Sequence, residues 1–157
     1  MKIVKGFLLL EKLGQLMNKA FTGVEINREN VYIANIVKCR PPANRVPHED
    51  EAMACLDYLR NQVILVKPKI IVLLGSTALK NILGKEYGIT SARGKWIERK
   101  GILYMPTWHP AALLRDEAKK IEFWRDMKLV KDKAESVCRR YLEKKEGEIK
   151  ACYLEKN

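Results

Sequence analysis

An amide and a thiol stand where an apolar run opens into a basic, proline-rich loop, in the segment VYIANIVKCRPPANR at 31–45. Asn35 is the single polar residue within 31–37. A buried amide has to be hydrogen-bonded, and an amide at the mouth of a parallel sheet can pair with a ligand that offers a donor and an acceptor, such as a pyrimidine edge. The residues alone leave two readings open: Asn35 binds a ligand, or it ties down the loop that follows.

His109 follows a second apolar arm and precedes Pro110, which restricts the turn. It could cap or pack a loop, or it could aim a neutral imidazole at a site. The segment AALLR at 111–115 comes next. An apolar side chain beside an arginine suits a protein that enters a DNA duplex and replaces an extruded base, and it suits a buried helix start equally well.

Cys39 and Cys55 are separated by 16 positions (55 − 39) and could share a metal or a cluster. Two thiolates do not complete a tetrahedral or cuboidal site. For this isolated pair, the favoured interpretation is that the two thiols are unrelated. The sequence contains no P-loop, no dinucleotide-binding glycine fingerprint, no Cys-x-x-Cys pair and no His-Glu-x-x-His motif.

The composition fits one domain of 157 residues with a net charge of +11. A domain this basic commonly meets a polyanion, and nucleic acid is the most frequent one. No apolar run approaches the roughly 18 residues of a membrane span, and we expect a cytoplasmic protein whose four cysteines form no disulfides.

Apolar periodicity predicts helices over 7–21, 48–67 and about 117–145, buried strands over 31–37 and 69–75, and a hairpin at Lys100–Gly101. Ser76 is expected to cap a short helix. The last long helix is expected to bury a stripe that begins at Ile121. Alternating strands and helices indicate an α/β domain with a mainly parallel sheet, whose ligands bind beyond the carboxyl ends of the strands.

Five segments, taken together, identify a family. They are VYIANIVKCRPPANR (31–45), EAMACL (51–56), KPKIIVLLGSTA (67–78), ITSARGKW (89–96) and YMPTWHPAALLR (104–115). In this order and spacing they resemble the iron–sulfur-containing (family 4) uracil-DNA glycosylases over about residues 10 to 130. The resemblance implies a three-layer α/β/α sandwich with a short, mainly parallel sheet. It also implies base excision repair, in which the N-glycosidic bond of uracil in DNA is hydrolysed.

The resemblance assigns roles to individual residues. Asn35 is expected to read the uracil edge, with Phe7 the one candidate for an aromatic platform, and His109 to hydrogen-bond uracil O2 as negative charge develops. Cys39 and Cys55 match two of the four ligands of a [4Fe-4S] cluster. The residues expected to contact DNA are Arg40, Arg45, Arg93, Lys95, the intercalating Leu113, and Arg115.

The resemblance also implies features that the sequence does not contain: two further cluster cysteines, a first strand and an acidic catalytic loop. We therefore expect weak or absent catalysis, with a non-catalytic nucleic-acid-binding module or a fragment of a longer glycosylase as the alternatives. The strand-like segment 148–154 is expected to occupy part of the position of the first strand. Cys138 and Cys152 could then join Cys39 and Cys55 in a rebuilt cluster. The expected partner is uracil-containing DNA, bound by a monomer.

Overall fold

Helices and strands alternate along most of the chain in the computed structural model, which describes residues 8–39, 41–142 and 153–154. The helices are α1 (Leu8–Gly23), α2 (Glu49–Val66), α3 (Gly75–Ile82), α4 (Ile89–Ala92), α5 (Pro110–Leu113) and α6 (Glu117–Leu142). The strands are β1 (Val31–Tyr32), β2 (Ile70–Leu74), β3 (Ile97–Arg99), β4 (Ile102–Thr107) and β5 (Tyr153–Leu154).

The strands form one sheet in the order β1-β5-β2-β4-β3. Every neighbouring pair is parallel except β3 and β4, which form the hairpin predicted at Lys100–Gly101. The run IIVLL of β2 pairs along its whole length with β4, so that Leu74 and Thr107 end the two strands side by side. An apolar, β-branched strand of this kind is typical of a sheet that is covered on both faces.

Helices cover both faces of the sheet, which confirms the predicted three-layer sandwich. On one face, α1, α5 and α6 bury a core that includes Met17, Phe21, Val72, Met105, Phe123, Met127 and Val130. On the other face, α3 and α4 bury a smaller cluster around Leu73, Leu79, Leu83 and Ala92. Large apolar side chains on both sides keep β2 and β4 in one position, and their carboxyl ends therefore provide a firm edge.

Helix α2 packs less closely than the others. Its first turn carries three acidic residues, which complement the positive end of the helix dipole. Along its 18 residues only Ala52 is fully buried, and large apolar side chains of the helix face solvent at Met53, Tyr58, Ile64 and Leu65. The inner side of α2 lies over a wide cavity instead of a filled core.

The structure corrects three local predictions. The strand predicted over 31–37 is limited to Val31–Tyr32, and the residues after it are irregular. Helix α3 begins at Gly75 with Leu74 as its N-cap, so Ser76 is not the capping residue. Ile121 is exposed, because the buried stripe of α6 follows Phe123, Met127, Val130 and Ala134.

Two residues of the segment predicted as a strand over 148–154 are described, and they form β5. Tyr153 is paired with Val31 on one side and with Ile70 on the other, in parallel with both strands. The rest of that segment lies outside the described residues. Among the described helices, none has the length and apolarity needed to cross a membrane.

Candidate active site

The ends of β2 and β4 bring two backbone segments into contact. Gly75 follows β2 with φ +86°, a conformation that glycine adopts without strain. A Cβ atom at this position would lie 2.8 Å from Cβ of His109. The imidazole-bearing residue therefore rests directly against the start of α3, and this contact needs a glycine.

His109 is held in a defined chemical state by its own helix end. It is the N-cap of α5, and its Nδ1 accepts a hydrogen bond from the Ala111 N–H at 3.1 Å. An accepting Nδ1 places the proton of the neutral ring on Nε2. Part of the ring is open to solvent, and the protein around the rest removes water, which lowers the pKa of His109. The result is a neutral imidazole whose Nε2–H is a donor with no partner among the described residues.

His109 and Asn35 line the same cavity. The cavity has a volume of about 730 Å³ and extends between α2 and the sheet. Its walls are mostly apolar and include Leu56, Leu59 and Val63 of α2 and Ile71, Leu73 and Tyr104 of the sheet. Polar groups converge at the carboxyl end of the strands, where ligands of parallel sheets bind.

The backbone at Asn35 is fastened by a chain of polar side chains. The Lys38 ammonium donates to the Asn35 carbonyl at 2.9 Å and to Gln62 Oε1 at 2.7 Å. Gln62 in turn donates from Nε2 to the Tyr32 hydroxyl at 3.0 Å. Burial lowers the pKa of Lys38. The exposed side-chain amide of Asn35 forms no hydrogen bond with the described residues, so it is available to a ligand.

One hydrogen bond brings Cys55 close to the backbone that precedes Cys39, and these are the two cysteines that match cluster ligands. The Lys38 backbone N–H donates to the Cys55 sulfur at 3.3 Å, which places Cys55 of α2 beside the residue that precedes Cys39. Both thiols are free. Within the described residues, however, no third cysteine, histidine or carboxylate completes a metal-binding group. Cys152 and the side chain of Cys138 lie outside the part that the structure describes, so the rebuilt cluster stays a prediction.

Leu113, the residue predicted to enter DNA, is buried, and its neighbour is exposed. Leu113 is only 1% exposed and belongs to the core between α5 and α6, so it cannot enter a duplex without leaving that core. Leu114, the next residue, is 42% exposed. Arg115 beside it is exposed and has no ion pair among the described residues. The exposed leucine is therefore one position further along the chain, at the C-cap of α5.

The basic residues predicted to contact DNA occupy different environments. Lys95 is exposed and has no ion pair with a described residue. Arg45 forms two hydrogen bonds with Glu51, at 2.7 and 2.8 Å, which lower the pKa of Glu51 to about 2. The side chain of Arg93 is 18% exposed and its guanidinium binds protein carboxylates, so its position does not support a phosphate contact. Arg40 and Phe7 lie outside the described residues.

Sequence reasoning missed a buried carboxylate. Asp126 is 1% exposed, accepts a hydrogen bond from the Thr107 hydroxyl at 2.6 Å, and is bound by Arg93 at 2.7 Å. Burial raises the pKa of Asp126, while Thr107 and Arg93 act in the opposite direction. The available signal was an aspartate three positions after Phe123, on the buried side of α6.

The fold and the site define a class of protein: an α/β sandwich with a cavity beyond the carboxyl ends of its parallel strands, lined by a histidine and by an exposed side-chain amide. Comparison with known proteins gives the family. A family model described as the uracil DNA glycosylase superfamily matches residues 4–128.

Relatives named type-4 uracil-DNA glycosylase include the following three proteins. The protein of Thermotoga maritima is 40% identical over 114 residues, which are 70% of this chain and 58% of that protein. The protein of Sulfurisphaera tokodaii is 47% identical over 111 residues, 66% of this chain and 50% of the relative. The protein of Archaeoglobus fulgidus is 34% identical over 135 residues, 81% and 68% respectively.

The chain belongs to the uracil-DNA glycosylase superfamily, in its type-4 group. It spans about half to three fifths of the length of the Thermotoga and Sulfurisphaera relatives.

Proposed function

We propose that the chain acts in DNA repair by recognising uracil that has been extruded from DNA and by promoting cleavage of its N-glycosidic bond. The observation that carries the proposal is the pairing of two groups in one cavity: the neutral His109 imidazole, with its proton on Nε2, and the Asn35 amide, which has no protein partner among the described residues. The imidazole N–H is suited to hydrogen-bond a developing anion, and the amide is suited to hydrogen-bond the edge of a base.

His109 serves the leaving base. When the glycosidic bond breaks, uracil departs with negative charge that is shared with its O2 atom. The Nε2–H of His109 is a donor that is already oriented, because Nδ1 is engaged by Ala111. A preorganised donor of this kind typically contributes about 2.7–4 kcal/mol to the transition state. The low pKa of His109 suits this role, since the ring is not a cation before the reaction begins.

Asn35 selects the base. An amide side chain carries a carbonyl acceptor and an N–H₂ donor, and it can match a pyrimidine edge that offers an N–H and a carbonyl. Cytosine presents a different order of donors and acceptors, so a site that hydrogen-bonds uracil leaves polar groups unpaired with cytosine.

DNA is the proposed partner, bound by a monomer in the cytoplasm. The net charge of +11 supports binding to phosphates. Exposed Leu114, next to Arg115, supports insertion beside the extruded base. We derive no step through an iron–sulfur cluster, because Cys39 and Cys55 are joined by no third ligand within the described residues.

A non-catalytic nucleic-acid-binding module is the second candidate. The observation that favours it is that the described residues lining the cavity include no aspartate or glutamate. In the proposed reaction a water molecule attacks the sugar, and these lining residues supply no carboxylate to position it.

Incubation with a uracil-containing oligonucleotide, followed by alkali, separates the two candidates. A matched thymine oligonucleotide is the substrate control. Asn35→Ala tests the base-reading group, and Asn61→Ala, at an exposed position on α2, is the matched variant. Uracil-dependent cleavage that falls with Asn35→Ala but not with Asn61→Ala supports the enzyme. Salt-sensitive DNA binding without cleavage supports the module. A chain that neither cleaves nor binds the oligonucleotide would contradict both candidates.

A further inference from the structure

A buried ion pair is bonded to the last residue of β4, two positions before His109. The Asp126 carboxylate is almost fully buried, and an isolated carboxylate in such a place would be strongly unfavourable. Both of its oxygens are engaged: Oδ1 accepts from Arg93 Nη2 at 2.7 Å, and Oδ2 accepts from Arg93 Nε at 3.2 Å and from Thr107 Oγ1 at 2.6 Å. The pair is therefore complete, and it links α6, the turn after α4 and the end of β4.

The backbone of the turn after α4 is adapted to this carboxylate. A Cβ atom at Gly94 would lie 2.8 Å from Asp126 Oδ1, so a larger residue would displace the acid. The Gly94 N–H donates to the Pro106 carbonyl at 3.0 Å. The same turn thus makes room for Asp126 and holds β4 one residue before Thr107.

A second carboxylate holds the residue on the other side of Thr107. The Trp108 indole N–H donates to Glu122 Oε2 at 2.6 Å, and Glu122 Oε1 lies 3.3 Å from Arg93 Nη1. The Lys119 ammonium lies 5.1 Å from the centre of the Trp108 ring. Three consecutive residues before His109 are consequently fastened by three different groups.

We propose that Arg93, Thr107, Glu122 and Asp126, together the β4 clamp, act as positioning residues for His109, and this proposal rests on the proposed function. Buried ion pairs add little net stability compared with apolar residues of the same volume, so four polar groups at this one strand end need a reason other than stability. Accurate placement of His109 for transition-state stabilisation is such a reason, because a misplacement of about 1 Å can reduce a rate on the order of 100-fold.

The test uses Thr107→Val, which keeps the shape of the side chain and removes the hydroxyl, with Thr107→Ser as the conservative rescue. The first measurement is NMR of the imidazole nitrogens, which reports the tautomer and the titration midpoint of His109 without any activity. The chain has two histidines, and His48→Gln assigns the signals. We expect Thr107→Val to reduce the population with the proton on Nε2 and to move the midpoint toward 6.5, the ordinary value. Thr107→Ser should restore both.

The second measurement is the rate of uracil excision under single-turnover conditions, where we expect a loss on the order of 10- to 100-fold for Thr107→Val. Leu83→Ala, in the core on the opposite face of the sheet, is the control for general loosening. Glu122 lies at a partly exposed position on α6, and Glu122→Ala removes its hydrogen bond with Trp108. This variant tests the β4 clamp even if Thr107→Val does not fold.

Unchanged His109 signals in folded Thr107→Val and Glu122→Ala would overturn the proposal. An equal change in Leu83→Ala would overturn it too, because the effect would then be general. If the wild-type chain excises no uracil, the proposed catalytic function fails, while the NMR measurement still decides whether the clamp positions His109.

Discussion

The two polar residues Asn35 and His109, which line one cavity, are supported in opposite ways. His109 follows a strand whose last residue, Thr107, is fully buried and is bonded to a buried carboxylate. Asn35 lies in an irregular segment after a strand of two residues, and its backbone is held by the exposed side chain of Lys38. The His109 side is therefore held by buried packing and a buried hydrogen bond, whereas the Asn35 side is held by exposed bonds that water can replace.

This difference matches the chemistry that we propose for each side. A group that stabilises developing charge is most effective when it needs no rearrangement at the moment of reaction. A group that reads a base can be ordered by the base itself, at the cost of some binding energy.

The largest expected effect concerns the neighbouring leucines after His109. Leu113→Ala should lower the free energy of unfolding by about 2–5 kcal/mol, because it leaves a cavity in the core. Leu114→Ala should change that free energy by less than about 0.5 kcal/mol, because the side chain is exposed, and it should instead weaken binding to uracil-containing DNA. Thermal unfolding and DNA titration of both variants provide the measurements. Equal destabilisation by the two changes would contradict the assigned burial.

Substitutions at two glycines distinguish the effect of the contact with His109 from the effect of backbone strain. Gly75 and Gly101 both have positive φ, but only Gly75 has a neighbour where a Cβ would be added. Alanine in this conformation costs about 1–2 kcal/mol at either position. Gly75→Ala should in addition displace His109 and reduce uracil excision, whereas Gly101→Ala should leave excision unchanged. Single-turnover rates with unfolding curves test this, and equal rates would show that the contact is unimportant.

A smaller effect is expected on the Asn35 side. Gln62→Ala removes the link between Lys38 and Tyr32 and should weaken uracil recognition by about 0.5–1.5 kcal/mol, the usual net value of one hydrogen bond. The NMR signals of His109 should not change. A shift of those signals would show that the two sides are coupled and would break the distinction drawn between them.

The smallest effect concerns pH. The pKa of His109 is lowered below 6.5 in the folded chain, so the unfolded chain takes up the proton first. The contribution of His109 to stability is therefore complete above pH 6.5 and is lost as the pH falls from 6.5 through the lower pKa of the folded chain. The Arg45–Glu51 pair should persist in this range, because the pKa of Glu51 is about 2. Melting curves of wild type and His109→Ala should thus converge or cross below pH 6.5, and curves that stay parallel would contradict the assignment.

Much of the fold follows from local patterns in the sequence. The apolar run of β2, the acidic start of α2 and the hairpin at Lys100–Gly101 depend on neighbouring residues, and their elements were predicted within a few positions. The family motifs also predicted that Asn35 and His109 share a site, and both residues line one cavity. Periodicity cannot determine which of two adjacent leucines is buried at the end of a helix of four residues, and this explains the difference between Leu113 and Leu114.

The β4 clamp could not be predicted from the sequence, for a different reason. Its members come from the turn after α4, the end of β4 and α6, and only the tertiary structure shows that they meet. Arg93 in a basic segment resembles a phosphate ligand, and no local property reveals that its partner is a carboxylate 33 residues away.

The central claim is that a neutral His109 stabilises the departing uracil. The direct test is the single-turnover rate of uracil excision by wild type, His109→Ala and His48→Ala, the last being the matched change at the other histidine. We predict a loss on the order of 100- to 1,000-fold for His109→Ala and wild-type behaviour for His48→Ala. Excision by His109→Ala at the wild-type rate would contradict the account.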